Sequence, residues 1–355
     1  MKLKYFATLL LLFSEFAIGQ VPGTPKQLFR SAYPQSFTLN VTINDFSSAI
    51  AKGQVLDNGQ RSVTTSGIVW GTYIPTISSY DGISSQTGAG QITTTMTGLT
   101  LLQTYYIVTY ATELNGQTTY GNIITYEHGT VVTPTGRKWL AFNLGATNIP
   151  SSINDTAGMG YLYQWGRESD GHQIVRPTIS SATNTLATSS SPNNGGVFIQ
   201  GQNNPEISAQ VSLWTGKLTY ADWLVQKNDY LWQGVNGTNN PCPTGYRLPT
   251  VVEFQSEASY WTSQDVRGAF ASILKLTNNG YRSNNGNNII SNSQTTTCCG
   301  YYWTSDTYPY INTQNNQPSY YQSRQMIINN TSVNFPTGSG AGLRANGYGV
   351  RCIKD

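Results

Sequence analysis

Apolar and polar residues alternate from Phe37 to Ile43, the two-residue period of a half-buried strand. Gly67-Ile-Val-Trp-Gly71 predicts a second short strand that buries Trp70. Strands are expected again over Gln91–Thr97, Tyr105–Thr112 and Thr118–Tyr126, with Asn115-Gly116 placed as a hairpin turn between the last two. About seven strands over ~110 residues predict an all-β immunoglobulin-like or fibronectin-III-like sandwich spanning 21–131. A Thr/Pro/Gly stretch follows, and residues 132–136 are expected to be a linker.

Beyond 137 the pattern changes. Thr250 with Glu253 three residues later forms a capping box, Pro249 precedes it, and Phe254 is placed to staple the start, so a helix is expected to about Ser259. A second short helix is expected over Ala221–Lys227. The remainder reads as short strands and long loops, an α+β domain over 137–355.

At the N-terminus, Lys2 and Lys4 precede an apolar run from Tyr5 to Phe13, and Ala17-Ile18-Gly19 supplies small residues for cleavage. This is the pattern of a signal peptide over 1–19, with Gln20 as the mature start. The run falls well short of the ~20 residues that span a bilayer, so no membrane span is expected after cleavage. The protein is expected to be exported: secreted, at the cell surface or periplasmic in a gram-negative bacterium.

Composition sharpens this. Charged residues make up only 10% of the chain, while Gly numbers 35 and Tyr 23, so Asn, Ser, Thr, Gln and Tyr must supply the polar surface. The net charge of +3 comes with no Lys/Arg cluster, which argues against nucleic-acid binding. There are two histidines, His128 and His172, and neither a Gly-x-Ser-x-Gly elbow nor a phosphate loop. His128, just ahead of the linker, is expected at the surface. No enzyme activity and no cofactor is expected.

Two resemblances add to this reading. Gly98-Leu99-Thr100 with Gln103 to Thr112, continued by Tyr120-Gly121-Asn122, resembles the late strands of fibronectin-III-like modules, with Leu99 and Tyr105 at the spacing of a tyrosine corner. From 137 to 355, four segments occur in order: Lys138 to Ala146, Gly160 to Arg167 running into Asp170-Gly171-His172, Pro241 to Thr250, and Gly300 to Ser305 paired with Gly349 to Asp355. This order resembles the FISUMP family, the Fibrobacter succinogenes major paralogous domain. The resemblance implies a C-type-lectin-like fold and no known reaction.

Four cysteines in an exported chain suggest disulfides, and three connectivities exist. Under the resemblance, Cys242 and Cys352 lie in family motifs, and pairing them would tie the capped helix to the final strand. Cys298 and Cys299 are adjacent, as a vicinal disulfide or as thiols.

Glu168, Asp170 and His172 alternate like metal ligands. Asp170-Gly171 is a turn signal that breaks their common face, so they are weak candidates and no metal is expected. Asp155-Thr156-Ala157 resembles a short O-glycosylation motif of exported gram-negative proteins. A lectin-like fold would hold calcium through motifs that this chain replaces with Gln317-Pro318-Ser319 and Trp303-Thr304-Ser305, which lack the carboxylates calcium needs. Trp303 is expected in the core. Tyr308, Tyr310, Tyr320 and Tyr321 flank turn-forming residues and are the candidate ligand contacts. The expected function is a non-catalytic binding or adhesion protein whose partner is an extracellular glycan, bound without calcium, or an envelope protein. A structural or assembly component of the envelope is the second expectation, and a carbohydrate-active enzyme the third.

Overall fold

The computed structural model describes residues 33–355 except 58, 60, 177, 202–221, 285–288, 291–297, 313–316 and 338–340, and within strands omits the side chains of 289–290, 298, 308–312 and 317–321. The expected signal peptide therefore lies outside the described residues. No helix among those described is long and apolar enough to cross a membrane.

Seven strands build the N-terminal module: β1 (Gln35–Ile43), β2 (Ser48–Leu56), β3 (Val63–Gly71), β4 (Gly82–Thr87), β5 (Gly90–Thr97), β6 (Thr104–Glu113) and β7 (Thr118–Glu127). They form two antiparallel sheets, β1-β2-β5 and β4-β3-β6-β7, a fibronectin-III-like sandwich. Ala49, Ala51, Ile68, Trp70, Met96 and Ile107 fill the space between them. The tyrosine corner is present: Thr100 N–H donates to Tyr105 Oη at 3.0 Å.

β1 departs from its simple alternation. A bulge between Thr38 and Asn40 shifts the register, so Phe37 and Leu39 are exposed while Thr38 is buried. Thr38 compensates with polar bonds. Its Oγ1 donates to Asn122 O (2.7 Å) and accepts from Thr109 N (2.9 Å), and Asn122 pairs with the Thr38 backbone. β1 and β7 come this close because Gly121 has no Cβ; one there would lie 2.5 Å from Ser36 O.

The C-terminal module is held by short pairings. In chain order its strands are β8 (Thr130–Val132), β9 (Lys138–Leu140), β10 (Tyr163–Gln164), β11 (Ala182–Thr183), β12 (Phe198–Ile199), β13 (Tyr246–Arg247), β14 (Tyr281–Arg282), β15 (Ile289–Ile290), β16 (Cys298–Asn312), β17 (Gln317–Asn329), β18 (Val333–Asn334), β19 (Gly342–Leu343), β20 (Gly347–Tyr348) and β21 (Ile353–Lys354). The sheets are β13-β21-β9-β8, β10-β20-β14-β15, the parallel pair β11-β12, and the long hairpin β16-β17 with β18 and β19 along β17. Thus the last strand of the module, β21, lies directly beside β9, one of its first two.

Among the described residues three helices accompany them: α1 (Thr156–Met159), α2 (Val251–Ala258) and α3 (Val266–Ala271). α2 begins with the complete capping box of Thr250 and Glu253 and buries Val251, Phe254 and Ala258. The helix expected over Ala221–Lys227 does not form over the described part, 222–227. Asp222 instead bonds the N–H groups of Trp223 and Leu224, and Leu224 bridges to Ala187, so the backbone donors are spent locally. Ala221 lies outside the described residues.

The stretch expected as a linker is part of the C-terminal sheet. Val131 and Val132 pair with β9, and 133–136 make its tight turn, closed by Gly136 N–H to Thr133 O (2.9 Å) with Gly136 at φ 79°. Thr133 donates to the buried carboxylate of Glu257 at 2.7 Å, Thr135 bonds the same oxygen, and Trp139 Nε1 reaches it at 3.2 Å. Pro, Thr and Gly here encode a hairpin turn fastened to α2.

The modules meet directly. Glu127 at the end of β7 accepts from Tyr246 Oη (2.8 Å), Lys138 (3.0 Å) and Lys354 (2.6 Å). Phe46 packs on Phe142 with centroids 4.8 Å apart. His128 is not at the surface: it is fully buried, its Nδ1 3.1 Å from Tyr126 Oη and its ring beside the Phe46 backbone. Burial pushes its pKa down.

Candidate functional site

The four sequence segments converge on one interior. Trp303 is fully buried and its Nε1 donates to Tyr163 O (2.7 Å), while Trp165 Nε1 donates to Thr304 O (2.9 Å). Gln164 donates to the carbonyls of Ile199 and Ala345 and accepts from Arg167. These motif residues hold the module's irregular chain together. The disulfide joins Cys242 to Cys352 with Cα atoms 5.9 Å apart. Cys299 is also disulfide-bonded, and the side chain of Cys298 lies outside those described.

Glu168, Asp170 and His172 do not converge as ligands. His172 is fully buried; its Nε2 accepts from Gln164 N–H (3.0 Å), which leaves Nδ1 protonated and donating to Asp170 Oδ1 (2.7 Å). Asp170 Oδ2 takes two bonds from Arg167, at 3.0 and 2.6 Å. Burial drives the His172 pKa down to about 4 despite Asp170. Both ring nitrogens are spent on protein partners, and no group of three metal-ligating side chains occurs among the described residues. Asp155 serves as the N-cap of α1, accepting from Ala157 N–H.

Tyr308 and Tyr310 fall in β16 and Tyr320 and Tyr321 in β17, so these four lie in paired strands and not in a free loop. Their side chains lie outside the described residues. The described part of that hairpin carries another aromatic set. Trp303 stacks on Tyr348 (centroids 4.2 Å), Tyr348 on Tyr301 (5.2 Å), and Tyr301 on Tyr281 (4.7 Å). The series passes from the closed core at Trp303 and Tyr348 to partly buried rings at Tyr301 and Tyr281. Asn279 fixes its outer end: its side chain accepts from Tyr301 N–H (2.8 Å) and donates to Tyr301 O (3.0 Å). Asn279 O also receives a long bond from Arg176 (3.5 Å).

Arg176 lines a cleft of about 450 Å³ with Gly145, Thr147, Thr156 and Tyr161. Tyr161 lies over Gly145, where a Cβ would stand 2.2 Å from its ring. A second cleft of about 450 Å³ runs along the module junction, lined by Val41, Ile43, Ile124, Val132 and Ile273 with Lys138 at its edge. Sequence reasoning missed Tyr281 and Arg176. Each is a lone residue in irregular chain, and only the fold gives it neighbours.

No family model and no curated protein matches the chain. Among solved structures, it is similar to the sixth fibronectin type III domain of human fibronectin type III domain containing protein 3. That match has 21% identity and a TM-score of 0.22, covering 28% of this chain and 89% of that one. It is also similar to catalytically inactive OgpA from Akkermansia muciniphila in complex with an O-glycopeptide substrate. Here identity is 18% and the TM-score 0.20, covering 29% of this chain and 31% of that one.

Proposed function

We propose that this is an exported, non-catalytic binding protein, secreted or held at the cell surface, whose FISUMP-like, lectin-like module recognises a glycan without calcium. The observation that carries the reading is the aromatic series from Trp303 to Tyr281. Two partly buried rings are anchored to a closed core by two further rings and by Asn279. Rigid aromatic faces beside amide side chains suit sugar stacking and hydrogen bonding at low entropic cost. Tyr308, Tyr310, Tyr320 and Tyr321 lie further along the same two strands in sequence and are proposed as additional contacts. The sandwich acts as the spacer that presents it. The test is a glycan array probed with chain 20–355, with and without EDTA. Binding that survives the chelator and drops at least ~5-fold in Tyr281→Ala and Tyr301→Ala, with little change in Tm, supports the reading. Binding abolished by EDTA, or no glycan bound at all, overturns it.

A further inference from the structure

Of the four fully buried guanidinium groups among the described residues, Arg167 and Arg344 face carboxylates, while Arg282 is held by Ser180, the His172 carbonyl and the Phe198 ring. Arg167 faces Asp170, Arg344 faces Asp229 and Asp222, and Arg247 faces Glu253 and Asp355. Arg351 has no carboxylate but is closed in the core by carbonyl oxygens. Arg176 differs from both groups. It is half-buried and makes one short bond, Nη1 to Gly160 O at 2.8 Å. Nη2 makes two long contacts, 3.4 Å to Met159 Sδ and 3.5 Å to Asn279 O. Its Nε donates no hydrogen bond and it has no carboxylate partner among the described residues. Burial lowers its pKa and no anion opposes that. A desolvated cation without a counter-charge is costly, and one that lines an open cleft can recover the cost by binding an anion there.

The walls narrow the choice of anion. Among the described residues Arg176 is the only cation lining the cleft, which matches a singly charged carboxylate better than a phosphate dianion. The exposed Thr147 and Thr156 supply hydroxyl groups, and Tyr161 supplies a ring seated on Gly145. At about 450 Å³ the cleft is in the range of small-ligand sites.

We propose that this cleft binds the carboxylate of a uronic-acid sugar, with Arg176 as its ionic partner, Thr147 and Thr156 bonding its hydroxyls, and Tyr161 as a side wall. The proposal rests on the glycan reading above and names the class of sugar. The Asn279 link from Arg176 to the Tyr301 backbone places the cleft next to the aromatic series, so one acidic chain could span both.

The test is an NMR titration of chain 20–355 with sodium glucuronate, glucose and sodium acetate in turn. Saturable shifts of the Thr147, Ala157 and Tyr161 resonances with glucuronate are expected, at an affinity at least ~10-fold above glucose and acetate. Arg176→Gln should lose that preference, Arg176→Lys should keep part of it, and higher salt should weaken it. Equal affinity for glucuronate and glucose overturns the proposal, as does equal affinity for acetate, which removes the sugar. The preference is read on the unsubstituted protein, so misfolding of a variant does not decide the outcome. Array binding that needs Tyr281 and Tyr301 but is indifferent to Arg176→Gln also overturns it, while leaving the broader glycan reading standing.

Discussion

Arg351 donates from both Nε and Nη2 to Oδ1 of Asn143, at 3.1 and 2.8 Å, across 208 positions of sequence. Its Nη1 takes the carbonyls of Leu140 and Leu274, and Asn143 Nδ2 donates in turn to Met159 O. Burial lowers the Arg351 pKa to about 10, still above neutral pH, so a full charge is kept in the core by amide and carbonyl oxygens alone. Asn143→Leu should therefore cost about 3–5 kcal/mol in urea unfolding, because it strands that charge. The double variant with Arg351→Met should be less destabilised than Asn143→Leu alone. Equal losses would show that the pair is not the source.

Stability should fall on acidification through His172. Its folded pKa of about 4 lies below its ordinary value of 6.5, so the unfolded chain binds the proton first. The contribution is complete above pH 6.5 and is lost as pH falls toward 4, by about 3 kcal/mol. Asp170, held down to about 2, extends the loss below its ordinary value of 3.8. His172→Gln should be less stable at pH 7 and flatter between pH 6.5 and 4; an unchanged slope would exclude His172 as the titrating group.

The junction adds a second acid-sensitive element. Burial raises the Glu127 pKa, but bonds from Lys354, Tyr246 and Lys138 outweigh it, and the net shift is downward. Its contribution is present above the ordinary carboxylate value of 4.5 and lost as pH falls below it. Glu127→Gln should weaken the contact between the modules without altering either core, seen as separate melting transitions in calorimetry where the parent shows one.

Because Thr133, Thr135 and Trp139 share Glu257, the hairpin turn at 133–136 should resist proteases in the native protein. Glu257→Ala leaves buried donors unpaired and should cost about 2–3 kcal/mol. Limited proteolysis should then cut the turn, whereas cleavage there in the unsubstituted chain would count against the arrangement.

The sequence foreshadowed the elements with local signals. Alternation and Asn115-Gly116 marked the sandwich strands, and Thr250 with Glu253 marked α2. The inward face of β1 was misread because the bulge at Thr38 reverses it, and a bulge depends on the partner strand. α3 was missed because it has six residues and a glycine; Asp265, which caps it, was the available signal. His128 looked exposed because nothing local reveals its packing beside Tyr126 and the distant Phe46. Arg176 and Tyr281 carried no motif, since their meaning comes from neighbours far away in sequence.

The pairing of β9 with β21 also sets how the protein would answer tension. The two strands are antiparallel, so a pull between the sandwich and the chain's last described residues would peel β21 from one end, one bond at a time. Peeling reaches Cys352 after three residues, and the bridge to Cys242 then takes the load covalently. The 110-residue separation it spans is shielded from extension. Under reducing conditions the same pull should release a further ~40 nm of chain, at about 3.6 Å per residue. In the oxidised protein the segment between Cys242 and Cys352 is thus kept out of the load path by one sulfur–sulfur bond, and only the chain before Cys242 can lengthen.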